Sequence, residues 1–175
     1  MNRQAIDFTD EIIDVLFEHY GLAQDLPIVS SGGSMGGHGA LVYSHYAKRT
    51  PVACVTNCPV CNSVFHLGER PDLPRTYYSA YYGEEGTIEE AAMRYSPFHL
   101  AKTMPKIPYR IIHCEKDKSV NLERHSEAFV KEMLTYGHDI SLEVVKDRGH
   151  CNLTLAAQRN FEKYILDSIL NKDIK

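Results

Sequence analysis

Gly32-Gly33-Ser34-Met35-Gly36 is the stretch of this chain best suited to chemistry, a Gly-x-Ser-x-Gly pattern. The apolar segment Leu26-Pro27-Ile28-Val29-Ser30 precedes it and reads as a strand, at about 26–31. Gly37-His38-Gly39-Ala40-Leu41-Val42-Tyr43 follows and reads as the opening of a helix. A tight strand-to-helix turn at Ser34 strains the backbone and brings strand and helix close together, which explains glycine on both sides. It lifts the hydroxyl above the sheet and aims a helix N-terminus at it. The backbone N–H of Met35 then points where an oxyanion would form. This is the arrangement of a nucleophilic serine.

A serine hydroxyl is too weak an acid to attack a carbonyl unaided. It needs an imidazole to take its proton and a carboxylate to fix the imidazole tautomer. Two carboxylates, Glu115 and Asp117, stand just past the apolar run Tyr109-Arg110-Ile111-Ile112-His113-Cys114. Asp117 lies three residues beyond that run, where a turn carries it toward a site at the strand ends. A further strand over Ile140–Val145 is followed by Lys146-Asp147-Arg148-Gly149-His150, in which Gly149 permits a close approach and His150 is the natural base. Other histidines fit less well. His38 and His45 fall in or near the helix after Ser34, His125 and His138 in or beside a later helix, and His113 on a strand, where it reads as structural.

Composition bounds the function. The chain has 175 residues, 43% hydrophobic and 24% charged, enough for one domain with a sizeable core. A net charge of -4 and a pI of about 6.1 point to neither nucleic acid nor an anionic membrane as partner. No apolar run approaches the roughly 20 residues needed to span a bilayer. The first residues lack a signal-peptide core, so the expected location is cytoplasmic. Five cysteines do not make a disulfide framework. Cys58-Pro59-Val60-Cys61 is a CxxC, but it lacks the second pair of a zinc site and the context of a redox motif. Both thiols are expected to be small packing groups, and no metal or cofactor is required.

Apolar residues at three- and four-residue spacings over 3–20 (Ala5, Phe8, Ile12, Ile13, Leu16, Phe17, Tyr20) predict an amphipathic helix stopped by Gly21. A helix to about Lys48 follows the serine turn. Then come strands over 52–56, 109–114 and 140–145, a helix over about 122–136 ended by Gly137, and a last helix over about 153–170. Helices alternating with apolar strands predict a parallel sheet covered on both faces. Residues 57–107 read as a lid or insert with short helical pieces, one opened by a capping box at Thr87 and Glu90.

With Gly32-Gly33-Ser34-Met35-Gly36-Gly37, Ser96-Pro97, Ile111-Ile112-His113-Cys114-Glu115-Lys116-Asp117 and Gly149-His150, the chain resembles the α/β-hydrolase superfamily. It looks most like the prolyl-oligopeptidase-type branch that also holds small esterases. The resemblance runs from about residue 3 over nearly the whole chain. It implies a Ser34–Asp117–His150 triad in the family's order of serine, acid, histidine, and so favours Asp117 over Glu115. The family usually has glycine where this chain has Cys114. Family members also usually carry an earlier half, with further strands and a His-Gly-Gly loop that supplies a second oxyanion donor. Here four of the usual eight strands can be counted, and Met35 N–H is the one donor that can be named. The resemblance therefore implies a partial α/β-hydrolase fold, a single domain over 1–175. Its serine-bearing strand would be an exposed apolar edge, and such edges pair with something. A homodimer or higher oligomer through that edge is expected.

Tyr77, Tyr78, Tyr81 and Tyr82 lie in the insert and are candidates to pack on an acyl group or a ring. The expected activity is that of a serine hydrolase, a carboxylesterase cleaving small esters through an acyl-enzyme. Two alternatives stand beside it: a catalytically weak remnant serving as an oligomeric interaction module, and a prolyl-oligopeptidase-type peptidase.

Overall fold

A computed structural model describes residues 1–170 of the chain. Four strands form one parallel sheet in sequence order: β1 (Val29–Gly33), β2 (Ala53–Asn57), β3 (Tyr109–Cys114) and β4 (Ile140–Val145). Parallel pairing needs a crossover between strands, and each crossover is built of helix. α1 (Arg3–His19) precedes β1, and α2 (Met35–Tyr46) links β1 to β2. The long connection from β2 to β3 carries α3 (Ser63–Leu67), α4 (Leu73–Ala80), α5 (Ile88–Arg94) and α6 (Pro97–Leu100). A π-helical turn over Glu123–Glu127 runs into α7 (Ala128–Thr135), and α8 (Leu155–Leu170) follows β4.

Strand periodicity sorts the core into layers. On β3, Tyr109 and Ile111 pack in one cluster with Leu41 of α2 and Phe129 and Met133 of α7, whereas Ile112 and Cys114 face Ala157 and Phe161 of α8. The fold is thus a sheet between two helical layers, an α/β arrangement. α2 is buried nearly all round. Leu41 faces the sheet, while Val42 and Tyr43 face a second apolar cluster formed with the insert.

The insert is more ordered than its composition suggests. α3, α4 and α5 pack together through Val64, Leu73, Tyr77 and Ala92 with Tyr81 and Tyr95, and the ring of Tyr81 stacks on Tyr95 with centroids 5.6 Å apart. The predicted capping box is present at Thr87 and Glu90. Ser96 anchors the insert to the loop after β2: its hydroxyl accepts the N–H of Ser63 at 3.1 Å and meets the carbonyl of Cys61 at 3.3 Å.

Two local expectations are corrected. The serine-bearing strand is Val29–Gly33 rather than 26–31, because the chain keeps pairing with β2 as far as Gly33 opposite Asn57. It is an edge strand, but only Val29 among its residues is a large apolar group. α1 does not present one apolar face to the core either. Ile6 and Phe17 are buried, whereas Phe8, Ile12, Leu16 and Tyr20 are exposed together with Val15. No helix among the described residues is long and apolar enough to cross a membrane.

Candidate active site

Ser34 sits between the last residue of β1 and the first of α2 with φ 54° and ψ -123°. That conformation is strained for a residue with a side chain and costs on the order of 1–3 kcal/mol. The surroundings impose it. Ser34 N–H donates to Asn57 C=O at 2.9 Å, and Ser34 C=O accepts from His38 N–H at 3.0 Å. A Cβ on Gly32 would stand 2.4 Å from the carbonyl oxygen of Gly36, so the strand can touch the helix only without a side chain there. On the helix side the constrained residue is Gly37, where a Cβ would meet Pro59 at 2.9 Å; Gly36, the motif glycine, has open space.

The turn after β3 and the loop after β4 bring the acid and the imidazole to this serine. Lys116 N–H donates to Arg148 C=O at 2.8 Å, which ties the two loops together. Glu115 ties them a second time, accepting from Lys146 Nζ at 2.7 Å and from Asp147 N–H at 3.0 Å. Glu115 is thereby turned away from the histidine, and Asp117 faces it. Asp117 Oδ2 accepts from His150 Nδ1 at 2.6 Å, and Ser34 Oγ donates to His150 Nε2 at 2.8 Å. The acceptor carboxylate places the imidazole proton on Nδ1 and leaves the Nε2 lone pair toward the serine.

The Asp117 side chain is fully buried, and its other oxygen accepts backbone N–H groups from Ser119 at 2.8 Å and Val120 at 3.0 Å. His113 Nε2 lies 3.4 Å from Oδ2. Burial by itself would raise this carboxyl. The hydrogen bonds from His113, His150, Val120 and Ser119 outweigh it and hold Asp117 well below the usual carboxylate range. His113 packs inside and contacts the acid, while its Nδ1 meets Ser126 Oγ at 2.7 Å.

A cavity of about 230 Å³ opens over Ser34 and His150. Met35, Leu73, Tyr77 and Val120 give it apolar walls, and His66, Arg70, Thr76 and Ser119 contribute polar groups. Met35 begins α2, so its N–H has no partner within the helix. Of the four candidate tyrosines, Tyr77 lines the cavity. Tyr81 is buried against Tyr95, and Tyr78 and Tyr82 are exposed on the far side of α4. Helical spacing explains the split: residues 77 and 81 share a face with Leu73, and 78 and 82 share the other.

Sequence reasoning missed a second carboxylate–histidine group at the cavity wall. Glu69 Oε2 accepts from His66 Nδ1 at 2.6 Å and from His125 Nε2 at 3.1 Å, and its Oε1 accepts from Asn121 N–H at 3.0 Å. His125 Nδ1 in turn accepts the N–H groups of Cys61 and Asn62. Burial pushes His125 down to about 4, so the ring is neutral. No motif signals this group, because His125 joins the His66–Glu69 pair from a segment 56 residues away from Glu69. The cysteines of the CxxC also part company: Cys61 packs under α7, whereas Cys58 lies on the opposite face of the sheet beside Cys114 and Cys151.

No family model matches the chain, and no curated protein matches it. Solved structures do. The uncomplexed acylaminoacyl peptidase of Pyrococcus horikoshii superposes with a TM-score of 0.73 at 14% identity, over 93% of this chain and 27% of that one. A puromycin-hydrolyzing peptidase of Mycobacterium tuberculosis gives 0.64 at 18% identity, over 77% of this chain and 20% of that one. Esterase 2 of Thermogutta terrifontis, phosphoramylated by tabun, gives 0.59 at 19% identity, over 91% of this chain and 61% of that one. The chain thus spans between a fifth and about a quarter of the length of the two peptidases. Its fold is a part of the α/β-hydrolase fold, with four consecutive parallel strands.

Proposed function

We propose that the chain is a serine hydrolase, a carboxylesterase of small carboxylic esters working through an acyl-enzyme. The observation that carries this reading is the pair of hydrogen bonds, 2.8 and 2.6 Å, that runs from Ser34 through His150 to Asp117 at the mouth of a cavity. In this reading His150 Nε2 takes the Ser34 proton as Oγ attacks the ester carbonyl, and Asp117 stabilises the imidazolium. The tetrahedral oxyanion develops beside the N–H of Met35. Collapse expels the alcohol, which receives the proton from His150, and water repeats the sequence to free the acid. The cavity volume of about 230 Å³ favours a short acyl group lying against Leu73, Tyr77 and Val120. Residues 57–107 supply half of the lining residues and so act as the insert that selects substrate.

A peptidase reading has support from the two peptidases with this fold. The reading as a weakly active interaction module has support from the single named oxyanion donor, since removing one donor typically costs about 10²–10³ in kcat. The edge position of β1 supports closure by a second copy of the chain, and size-exclusion chromatography at micromolar concentration tests that: a stable monomer would count against it.

The deciding experiment compares short-chain p-nitrophenyl esters with aminoacyl p-nitroanilides as substrates for this chain and for Ser34→Ala. Ester turnover that vanishes with Ser34 is the expected result. Anilide turnover in its place would make the chain a peptidase. A folded protein that neither hydrolyses esters nor labels at Ser34 with a fluorophosphonate would overturn the hydrolase reading.

A further inference from the structure

Among the described residues, three groups of nitrogen, sulfur and carboxylate atoms lie close enough together to share a cation, and hydrogen-bond roles separate them. In the His66–Glu69–His125 group, His125 Nδ1 accepts two backbone N–H groups, so the proton of the neutral ring sits on Nε2 and points at Glu69. The His125 ring therefore keeps no lone pair for a metal. In the Cys58–His113–Asp117 group, His113 Nε2 faces the carbonyl oxygen of Val120 at 3.1 Å, which only accepts, so this nitrogen too carries its proton.

The third group, Cys58, His150 and Cys151, differs. His150 Nε2 presents a lone pair, the one that accepts the Ser34 hydroxyl proton. Cys151 Sγ lies 3.7 Å from that nitrogen, and the ligand atoms of all three residues fall within 4.8 Å of one another. Tetrahedral zinc with ordinary Zn–S and Zn–N bonds sets a sulfur and a nitrogen ligand about 3.6 Å apart. The spacing already present is close to that value.

The surroundings favour a bound cation. Cys58 Sγ accepts backbone N–H groups from Cys114 at 3.3 Å and Cys151 at 3.4 Å, contacts that stabilise a thiolate. Behind the imidazole, Asp117 accepts the Nδ1 proton, the arrangement that orients a metal-bound histidine and raises its basicity. Cys58 and Cys151 both have positive φ, 45° and 54°, so two residues with side chains are held in a strained backbone where their loops converge. A divalent cation deprotonates its thiol ligands directly.

We propose that Cys58, Cys151 and His150 form a zinc-binding site whose occupancy silences the serine. Binding replaces the two thiol protons, released to solvent, by two Zn–S bonds and ties the His150 Nε2 lone pair into a Zn–N bond, with no oxidation or reduction. Ser34 then has no base. Metal binding stands independently of the hydrolase reading; the loss of hydrolysis rests on it.

The full chain, stripped with a chelator and kept under a non-thiol reductant, is titrated first with Co²⁺ and then with Zn²⁺. Expected is one Co²⁺ per chain with a thiolate-to-cobalt charge-transfer band, and displacement of that band by Zn²⁺. Ester hydrolysis should fall about 10²-fold or more on zinc loading, because the general base is lost, and recover with chelator. Cys151→Ser weakens the band and removes zinc sensitivity, each rate being compared with the metal-free rate of the same variant. Ser34→Ala keeps the band, so the site is read even if no ester is turned over. Absence of a thiolate band, or a band and a zinc response unchanged by both Cys58→Ser and Cys151→Ser, would overturn the site. Should Cys58→Ser fail to fold, the partly exposed Cys151 carries the test alone.

Discussion

Two carboxylate–histidine groups each send one imidazole, His150 or His66, to the lining of one cavity and are built alike. Asp117 collects His150, His113 and two backbone N–H groups; Glu69 collects His66, His125 and one. Both acids are held below the usual carboxylate range by these donors, although burial opposes it. The difference lies in the far nitrogen of one imidazole. On His150 it meets the hydroxyl of a serine held in a strained turn; on His125 it is occupied by the N–H groups of Cys61 and Asn62. A carboxylate beside a histidine therefore says little about catalysis. What the second ring nitrogen faces decides whether the pair can move a proton or only hold the insert to the sheet.

The comparison can be broken most sharply at the serine group. Ser34→Ala should lower ester hydrolysis about 10⁴-fold or more without loss of fold, measured as steady-state rate beside a circular dichroism spectrum. Asp117→Asn, which leaves the shape of the site but favours the wrong imidazole tautomer, should cost about 10³–10⁴ in kcat with little change in KM. At the Glu69 group the signature should invert. Glu69→Gln should destabilise by about 1–3 kcal/mol, as buried ring N–H groups lose a charged partner, with kcat changed only a few-fold. If chemical denaturation and kinetics show instead a kcat loss of the size seen for Asp117→Asn, the two groups are not distinct in kind.

The smallest effect concerns pH. His125 is pushed down to about 4 and His38 to about 3, in both cases chiefly by burial, so both rings are neutral in the fold. Once unfolded they titrate near the ordinary histidine value of about 6.5. Between these limits the unfolded chain binds more protons, so stability falls as pH drops from about 6.5 toward 4. Asp117 adds its loss only below about 4, where the unfolded carboxyl is protonated and the folded one is not. Denaturation midpoints at about pH 7 and about pH 5 should differ, and replacing His125 with asparagine should narrow the gap.

The serine group was legible in sequence because each of its members closes a strand: Ser34 after β1, Asp117 after β3, His150 after β4. Runs such as Tyr109–Cys114 and Ile140–Val145 mark those strands at their true bounds; the first is a central strand buried on both faces, the second an edge strand buried at its two ends, Ile140 and Val145. The serine-bearing strand is displaced because Ser30 to Gly33 look like turn residues, while their backbone still pairs with β2. The glutamate group was not legible. His66 and Glu69 are three residues apart at the end of α3, but His125 comes from the π-helical turn before α7, and only tertiary packing brings it to them. The tyrosines of α4 carried a usable signal, a four-residue spacing aligned with Leu73, that separates Tyr77 and Tyr81 from Tyr78 and Tyr82.

The strand order has a consequence for how the chain comes into being. Each strand pairs with the next one in sequence, so the sheet can grow one strand at a time as the polypeptide leaves the ribosome, at about 5–20 residues per second. Ser34 is set on its turn as soon as β2 docks, because its N–H is bonded to Asn57. His150 comes after the last strand, 116 residues later. The nascent chain thus displays Ser34 well before its hydrogen-bond partner His150 exists.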